Sequence, residues 1–354
     1  MNNMKYIDEK FADIQILRYK LVGFEELSLR QKIYIYYLSK AVLSGRDITF
    51  DQFGKYNLRI RKVLECIYLN YDGNRDNQDF RELVIYLKRV WFSNGIYHHY
   101  NCDKFTAKFS KSFFCEAYDA LPYELLGLSS DDAKQKLRAE LLKVIFDEDY
   151  LPKRVNKAEG VDLIRTSACN FYEDVSQKEV EQFYGNLKTD GETRPASYGL
   201  NSKLIKINGE VKELVYKADG LYGEKICQII HWLSKAKQYA ENEQQEKIIS
   251  MLIKYYQTGD LALFDEYSVA WLKEHEGQID FINGFIEVYG DPLGLKGSWE
   301  GIVEYKDVIA TKRTQLISEN AQWFEDHSPI DDRFKKKTVR GVTANVVCAA
   351  MLGG

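Results

Sequence analysis

Apolar residues recur at helical spacing through most of the first 150 positions. Ile33, Tyr37 and Ala41 fall four apart behind Ser28-Leu29-Arg30-Gln31, a segment whose hydroxyl and amide can satisfy each other's backbone donors at a helix start. This stripe predicts a helix that ends near Gly45. Further helices are expected from Tyr56 to Asn70 and from Phe80 to Phe92. Ser129-Ser130-Asp131-Asp132 opens another, with Leu137, Leu141, Val144 and Ile145 as its apolar stripe. Stripes of this kind face a protein core far more often than a cofactor.

From about residue 160 the pattern changes. Lys203–Ile207 and Glu210–Tyr216 alternate in polarity around Asn208-Gly209, a dipeptide suited to the type I′ turn, so a β-hairpin is expected. Helical spacing returns over Tyr222–Ala240, Gln244–Tyr256 and Leu261–Lys273. A strand-like run follows from Ile279 to Tyr289 and breaks at Gly290-Asp291-Pro292, with a second strand from Trp299 to Tyr305. A helix is expected from Ala310 to Phe324, and Val339–Ala350 reads as a buried strand. Each strand run is apolar on at least one face and needs a partner. The runs near 203–216, 279–289, 299–305 and 339–350 are therefore expected to share one sheet or small barrel. The fold class is α+β, a helix-rich lobe around a small mixed β-sheet or β-barrel.

Composition narrows the function classes. With 354 residues and 45% hydrophobic content the chain can form one large domain or two ordinary ones. A net charge of −4 offers no general attraction to nucleic acid or anionic membrane, so neither is an expected partner. The longest nearly uncharged apolar stretch, Val342 to Leu352, is too short to span a bilayer. The six cysteines form no C-x-x-C pair and read as scattered free thiols of a reducing compartment. Met1 to Tyr6 has no apolar run of the secretory kind, which makes a cytoplasmic location the expectation. Ala349 to Gly354 closes the chain just after an apolar run, as expected of a truncated domain. Internal repeats and low-complexity segments are absent from the sequence.

The chain has no G-x-G-x-x-G, P-loop, G-x-S-x-G or H-E-x-x-H motif. His98 and His99 are adjacent, so in extended chain their rings point apart and cannot readily grip one metal. His275 ends a helix, His231 and His327 stand alone, and no three ligands occur at metal-binding spacing. No catalytic constellation and no metal site are expected. The most informative stretch runs from Asp280 to Gly301, where Asp280, Glu287, Asp291 and Glu300 interrupt mostly apolar chain. Alternation places Asp280, Ile282, Gly284 and Ile286 on one face of the strand and Glu287 on the other. Two readings stand: a hairpin whose acids face solvent or make turn hydrogen bonds, or an edge strand offering a carboxylate to a ligand cation.

The residues Gly284-Phe285-Ile286-Glu287-Val288-Tyr289-Gly290-Asp291-Pro292-Leu293-Gly294, followed by Lys296-Gly297-Ser298-Trp299-Glu300-Gly301, closely resemble a block of the dipeptidyl peptidase III family of zinc exopeptidases. Supporting likenesses occur in order. They are the early helix at Leu29–Ser39, the loop Asn94-Gly95 with Asp103-Lys104-Phe105, the helix Leu233–Ala240, and Trp271. The resemblance spans about residues 29 to 350.

It implies a protein roughly twice this length, with two lobes and a cleft between them. Zinc would be held by a His-Glu-x-x-Gly-His helix and a later glutamate, neither of which occurs here. An Asn pair that helps to grip the substrate's amino end would lie just beyond Gly354. Residues 1–300 would form the substrate-binding lobe, 301–338 a crossover towards the metal-binding lobe, and 339–354 a strand returning to the first lobe. Asp280 matches the acid that accepts the ammonium of a peptide with a free N-terminus, although Asp is shorter than the family's usual Glu. The family's Tyr two residues later is Ile282 here. The resemblance makes Asp280, Ile282, Asn283, Gly284 and Glu287 candidate peptide-binding residues. Asp291, Pro292, Gly294, Gly297, Glu300 and Gly301 belong to the structural motif. The expected function is the peptide-binding lobe of a dipeptide-releasing zinc exopeptidase, itself inactive and lacking zinc. A non-catalytic peptide-binding or scaffold protein is the alternative.

Overall fold

The computed structural model describes residues 4–187, 197–341 and 345–353. The chain begins with a short hairpin, β1 (Ile7–Phe11) and β2 (Ile14–Leu17), where the sequence pattern suggested only helices. Its charged residues tie it to the third helix introduced below, through Lys88 with Glu9 and Arg89 with Asp13. Helix α1 (Leu29–Gln52) follows, and Ser28 and Gln31 form the expected capping box. The helix does not end near Gly45. Gly45 is an interior residue, where the absence of a side chain lets the Trp299 ring approach. A Cβ there would lie 2.2 Å from that ring.

Helices α2 (Asn57–Asn70), α3 (Gln78–Phe92), α4 (Lys111–Asp119) and α5 (Asp131–Phe146) complete the first half. Leu137, Leu141, Val144 and Ile145 of α5 are buried in one core with Ile60, Leu64, Leu83 and Leu87. Strand β3 (Tyr172–Glu173) and helix α6 (Gln177–Gly185) precede the hairpin of β4 (Ser202–Ile207) and β5 (Glu210–Val215). Asn208 and Gly209 both have positive φ, at 53° and 85°, as the type I′ turn requires. Helices α7 (Gly223–Lys237), α8 (Glu243–Thr258) and α9 (Leu261–Trp271) pack with α1 around a second core. Two long strands follow, β6 (Ile279–Glu287) and β7 (Ser298–Lys306), then α10 (Val308–Glu319), α11 (Ala321–Asp326) and β8 (Val347–Gly353).

The result is a helix-rich α+β lobe, but the four strand runs do not share one sheet. β3, β4 and β5 form one sheet and β6, β7 and β8 another, with no closed barrel among the described residues. The loop between β6 and β7 separates them. Gly297 donates its N–H to the Leu200 carbonyl at 2.8 Å, so the sheets are joined through a loop rather than through paired strands. The last strand also differs from expectation. It covers 347–353 instead of 339–350, is half exposed, and part of the expected run (342–344) lies outside the described residues. The helix expected over 310–324 is two helices, divided at Asn320.

Candidate functional site

β6 forms because its alternate residues Ile279, Phe281 and Phe285 are large and apolar and bury against α1 and α8. Asn283 shares that inward face. It is buried, and its Oδ1 accepts from the Tyr256 hydroxyl at 2.5 Å. The opposite face carries Asp280, Ile282 and Gly284, paired across the sheet with Glu304, Ile302 and Glu300 of β7. Trp271, at the end of α9, reaches this face and donates its indole N–H to Asp280 Oδ1 at 3.0 Å. The Phe281 N–H donates to the same oxygen at 2.7 Å, and among the described residues Oδ2 has no protein donor. No Lys or Arg forms an ion pair with Asp280 among the described residues. Burial raises its pKa, offset in part by the Phe281 and Trp271 hydrogen bonds and the charge of Lys306. Glu304 is raised too, first by burial and then by the charge of Asp280.

Glu287 is not set apart by simple alternation. A bulge between Phe285 and Glu287 shifts the register, so Glu287 pairs with Ser298 and borders the same cavity as Glu300. This cavity, about 420 Å³, also meets Arg46, Tyr289 and Leu352. Burial raises the pKa of Glu300, and the charge of Glu287 adds to the effect. The exposed edge of β7 beyond β8 is closed by α1 side chains. Gln52 Oε1 accepts the Trp299 N–H at 2.7 Å, and the Thr49 hydroxyl donates to the Trp299 carbonyl at 3.2 Å.

The turn after β6 is built around one carboxylate. Asp291 is 0% exposed. It accepts from the N–H groups of Leu295 and Lys296 at 2.8 and 3.0 Å and from the Tyr172 hydroxyl at 2.8 Å. Pro292 and Gly294, with φ at 67°, let the chain wrap around it. Gly297 and Gly301 are close-approach positions, where a Cβ would fall 2.8 Å from the Phe285 backbone and from Val42 respectively. Lys296 is buried against α6 and the β4–β5 hairpin. Its Nζ contacts the Tyr184 hydroxyl and lies 3.0 Å from Ser202 Oγ and 3.8 Å from Glu213.

Two features were invisible to spacing. Glu304 meets Asp280 only through the hairpin register, and the Trp271–Asp280 contact joins two elements whose packing the local pattern does not encode. The histidines also differ from expectation. His98 and His99 lie in a turn with their rings stacked at 4.4 Å, on one side instead of two. No three His, Cys, Asp or Glu residues come together as a metal-binding set among the described residues. The residues present do not fit a zinc site.

Residues 177–341 match the model of peptidase family M49. The human dipeptidyl peptidase 3 is 22% identical over 349 residues, covering 89% of this chain and 47% of that protein. The mouse protein of the same name is 26% identical, with the same coverage. The chain thus spans about half the length of these curated relatives. Among solved structures, dipeptidyl peptidase III from Caldithrix abyssi superposes with a TM-score of 0.62 at 18% identity, covering 94% of this chain and 50% of that one. The enzyme from Corallococcus sp. strain EGB gives 0.58 at 14% identity. These structural likenesses carry the fold, and the family match falls on the acidic block and its neighbours. The chain is thus similar to the dipeptidyl peptidase III family, peptidase family M49, by family model over residues 177–341 and by fold over 94% of its length.

Proposed function

We propose that this chain is the peptide-binding lobe of a dipeptidyl peptidase III-like exopeptidase, with Asp280 receiving the peptide's amino end. The zinc, its ligands and the hydrolytic step would belong to the rest of the full-length protein, and the protein would work in the cytoplasm. The carrying observation is the Asp280 carboxylate. One oxygen is fixed by Trp271 and the Phe281 N–H, and among the described residues the other has no protein donor and no Lys or Arg forms an ion pair with the carboxylate. A carboxylate held this way is ready for a charged donor, and a partly buried ammonium–carboxylate bond positions a peptide end strongly. Ile282 and Ile302 form the apolar floor beside it. Asn283 fixes the strand from behind through Tyr256, Gly284 shares the face of Asp280, and Glu287 lies farther along the same strand.

The test uses the full-length protein, whose gene should encode His-Glu-x-x-Gly-His beyond Gly354. Asp280→Ala should weaken peptides with free amino ends about ten- to hundredfold. N-acetylated peptides should be almost unaffected. Binding should fall as pH drops through the raised Asp280 pKa, and fall again as the ligand amine deprotonates above about pH 8. Equal losses for both peptide classes would refute the anchoring role.

A further inference from the structure

Arg154 is buried, with only 5% of its surface exposed, yet among the described residues it forms no ion pair with a carboxylate. Its guanidinium lies over the Phe53 ring at 4.1 Å, and one terminal nitrogen approaches Cys102 Sγ at 3.6 Å. Nε is buried without a partner. A ring face attracts a cation but accepts no hydrogen bond from the guanidinium edge, so the Phe53 contact does not replace a counter-ion. Burying an unpaired charge is among the costliest arrangements in a fold, and an anionic ligand is the ordinary way to offset it.

The surroundings have the matching sign. Arg154 borders a cavity of about 630 Å³ together with His99, Asn156, Lys153, Lys157 and Tyr289, and no carboxylate lines it. Lys153 is already paired with Asp103 at 2.8 Å, leaving Lys157 and Arg154 as the lining cations without an ion pair among the described residues. His99 Nδ1 is a second buried polar atom without a partner. Neighbouring backbone holds Arg154 in place. Its N–H donates to the Cys102 carbonyl at 2.9 Å, and its carbonyl accepts from the Cys169 N–H at 3.1 Å. The site is thus built before any ligand arrives.

We propose that this cavity is an oxyanion-binding site in which Arg154 takes one carboxylate or phosphate group, with Lys157 at the mouth and His99 at the side. It is separate from the Asp280 anchor and does not depend on the peptidase reading. A planar guanidinium suits both oxyanions, because both offer paired oxygens at matching spacing.

Inorganic phosphate and succinate serve as separate probes, with sodium chloride at equal ionic strength as the control. Binding is followed by thermal shift and by the Arg154 Nε–H resonance of the 15N-labelled chain. At least one probe should stabilise the chain saturably and move that resonance, and the stronger probe identifies the ligand as a phosphate or a carboxylate. Lys157→Ala should weaken binding about three- to fivefold and leave the fold unchanged. Arg154→Met should weaken it about ten- to hundredfold. Should Arg154→Met fail to fold, Arg154→Lys, which keeps the charge but loses the fork, should still weaken binding measurably. No saturable effect from either probe, an equal effect from chloride, or affinities unchanged in these variants would overturn the proposal.

Discussion

Asp280 and Glu304 face one another on adjacent strands, and burial raises the pKa of both. A carboxyl raised in the folded state contributes stability that is fully present below its unfolded pKa and lost as pH rises through its folded one. Glu304→Gln should therefore raise Tm at pH 7 and leave it unchanged near pH 3.5, below the ordinary carboxyl values of about 3.9 and 4.3. A thermal scan at the two pH values checks this. Lys296 has the opposite sign. Burial holds it down to about 8, so between there and the ordinary 10.5 the unfolded chain binds more protons and stability rises with pH. Lys296→Met should flatten that rise. At pH 7 it should also cost about 1–3 kcal/mol, because Tyr184, Ser202 and Glu213 lose their shared buried donor. Urea unfolding at pH 7, 8 and 10 measures both effects.

Helix α1 separates local propensity from packing at the scale of an element. Its start was legible because the capping box is a local signal, and Ser28 and Gln31 make both reciprocal hydrogen bonds. Its end was not, because Gly45 carries the same letter whether it stops a helix or admits a neighbour. Propensity alone predicts that Gly45→Ala stabilises α1 by about 1 kcal/mol. The Trp299 ring argues the reverse, since a methyl 2.2 Å from it forces the ring or the helix to move. The expected outcome is a net loss of about 1–3 kcal/mol in urea unfolding. β6 gives a parallel case: its strand character was readable from alternation, but the bulge that turns Glu287 towards Glu300 depends on how β7 pairs with it.

Helices α10 and α11 have no buried residues, although they carry large apolar side chains. Leu316 is 63% exposed and Trp323 55%, and Phe334, in the turn after α11, is 74% exposed. Apolar surface gathered on one segment marks an interaction surface. This segment falls within 301–338, proposed above as the crossover to a second lobe. Ile317→Lys and Phe324→Lys should change the stability of this chain by no more than about 0.5 kcal/mol, because both positions are exposed here. In the full-length protein the same changes should destabilise, and Trp323 should become less accessible to acrylamide quenching than in this chain. Equal quenching in both proteins would remove the segment from the lobe interface.

Helix stripes, caps, the Asn208-Gly209 turn and the acidic block were determined by the sequence itself, since each depends on residues a few positions apart. The block carried the family resemblance because its glycines, proline and aspartate together specify one turn around the Asp291 carboxylate. The placement of Asp280 towards Trp271 and Glu304, the division of the strands into two sheets, and the isolation of Arg154 were decided only in the tertiary structure. Each depends on how separate elements pack: Trp271 and Glu304 come from elements on either side of the strand that carries Asp280, and Phe53 lies about 100 positions before Arg154. Local pattern specifies which face of an element is apolar. Which distant side chain meets a given charge follows from how those faces pack, because packing sets the register, the bulge and the burial that give the charge its properties.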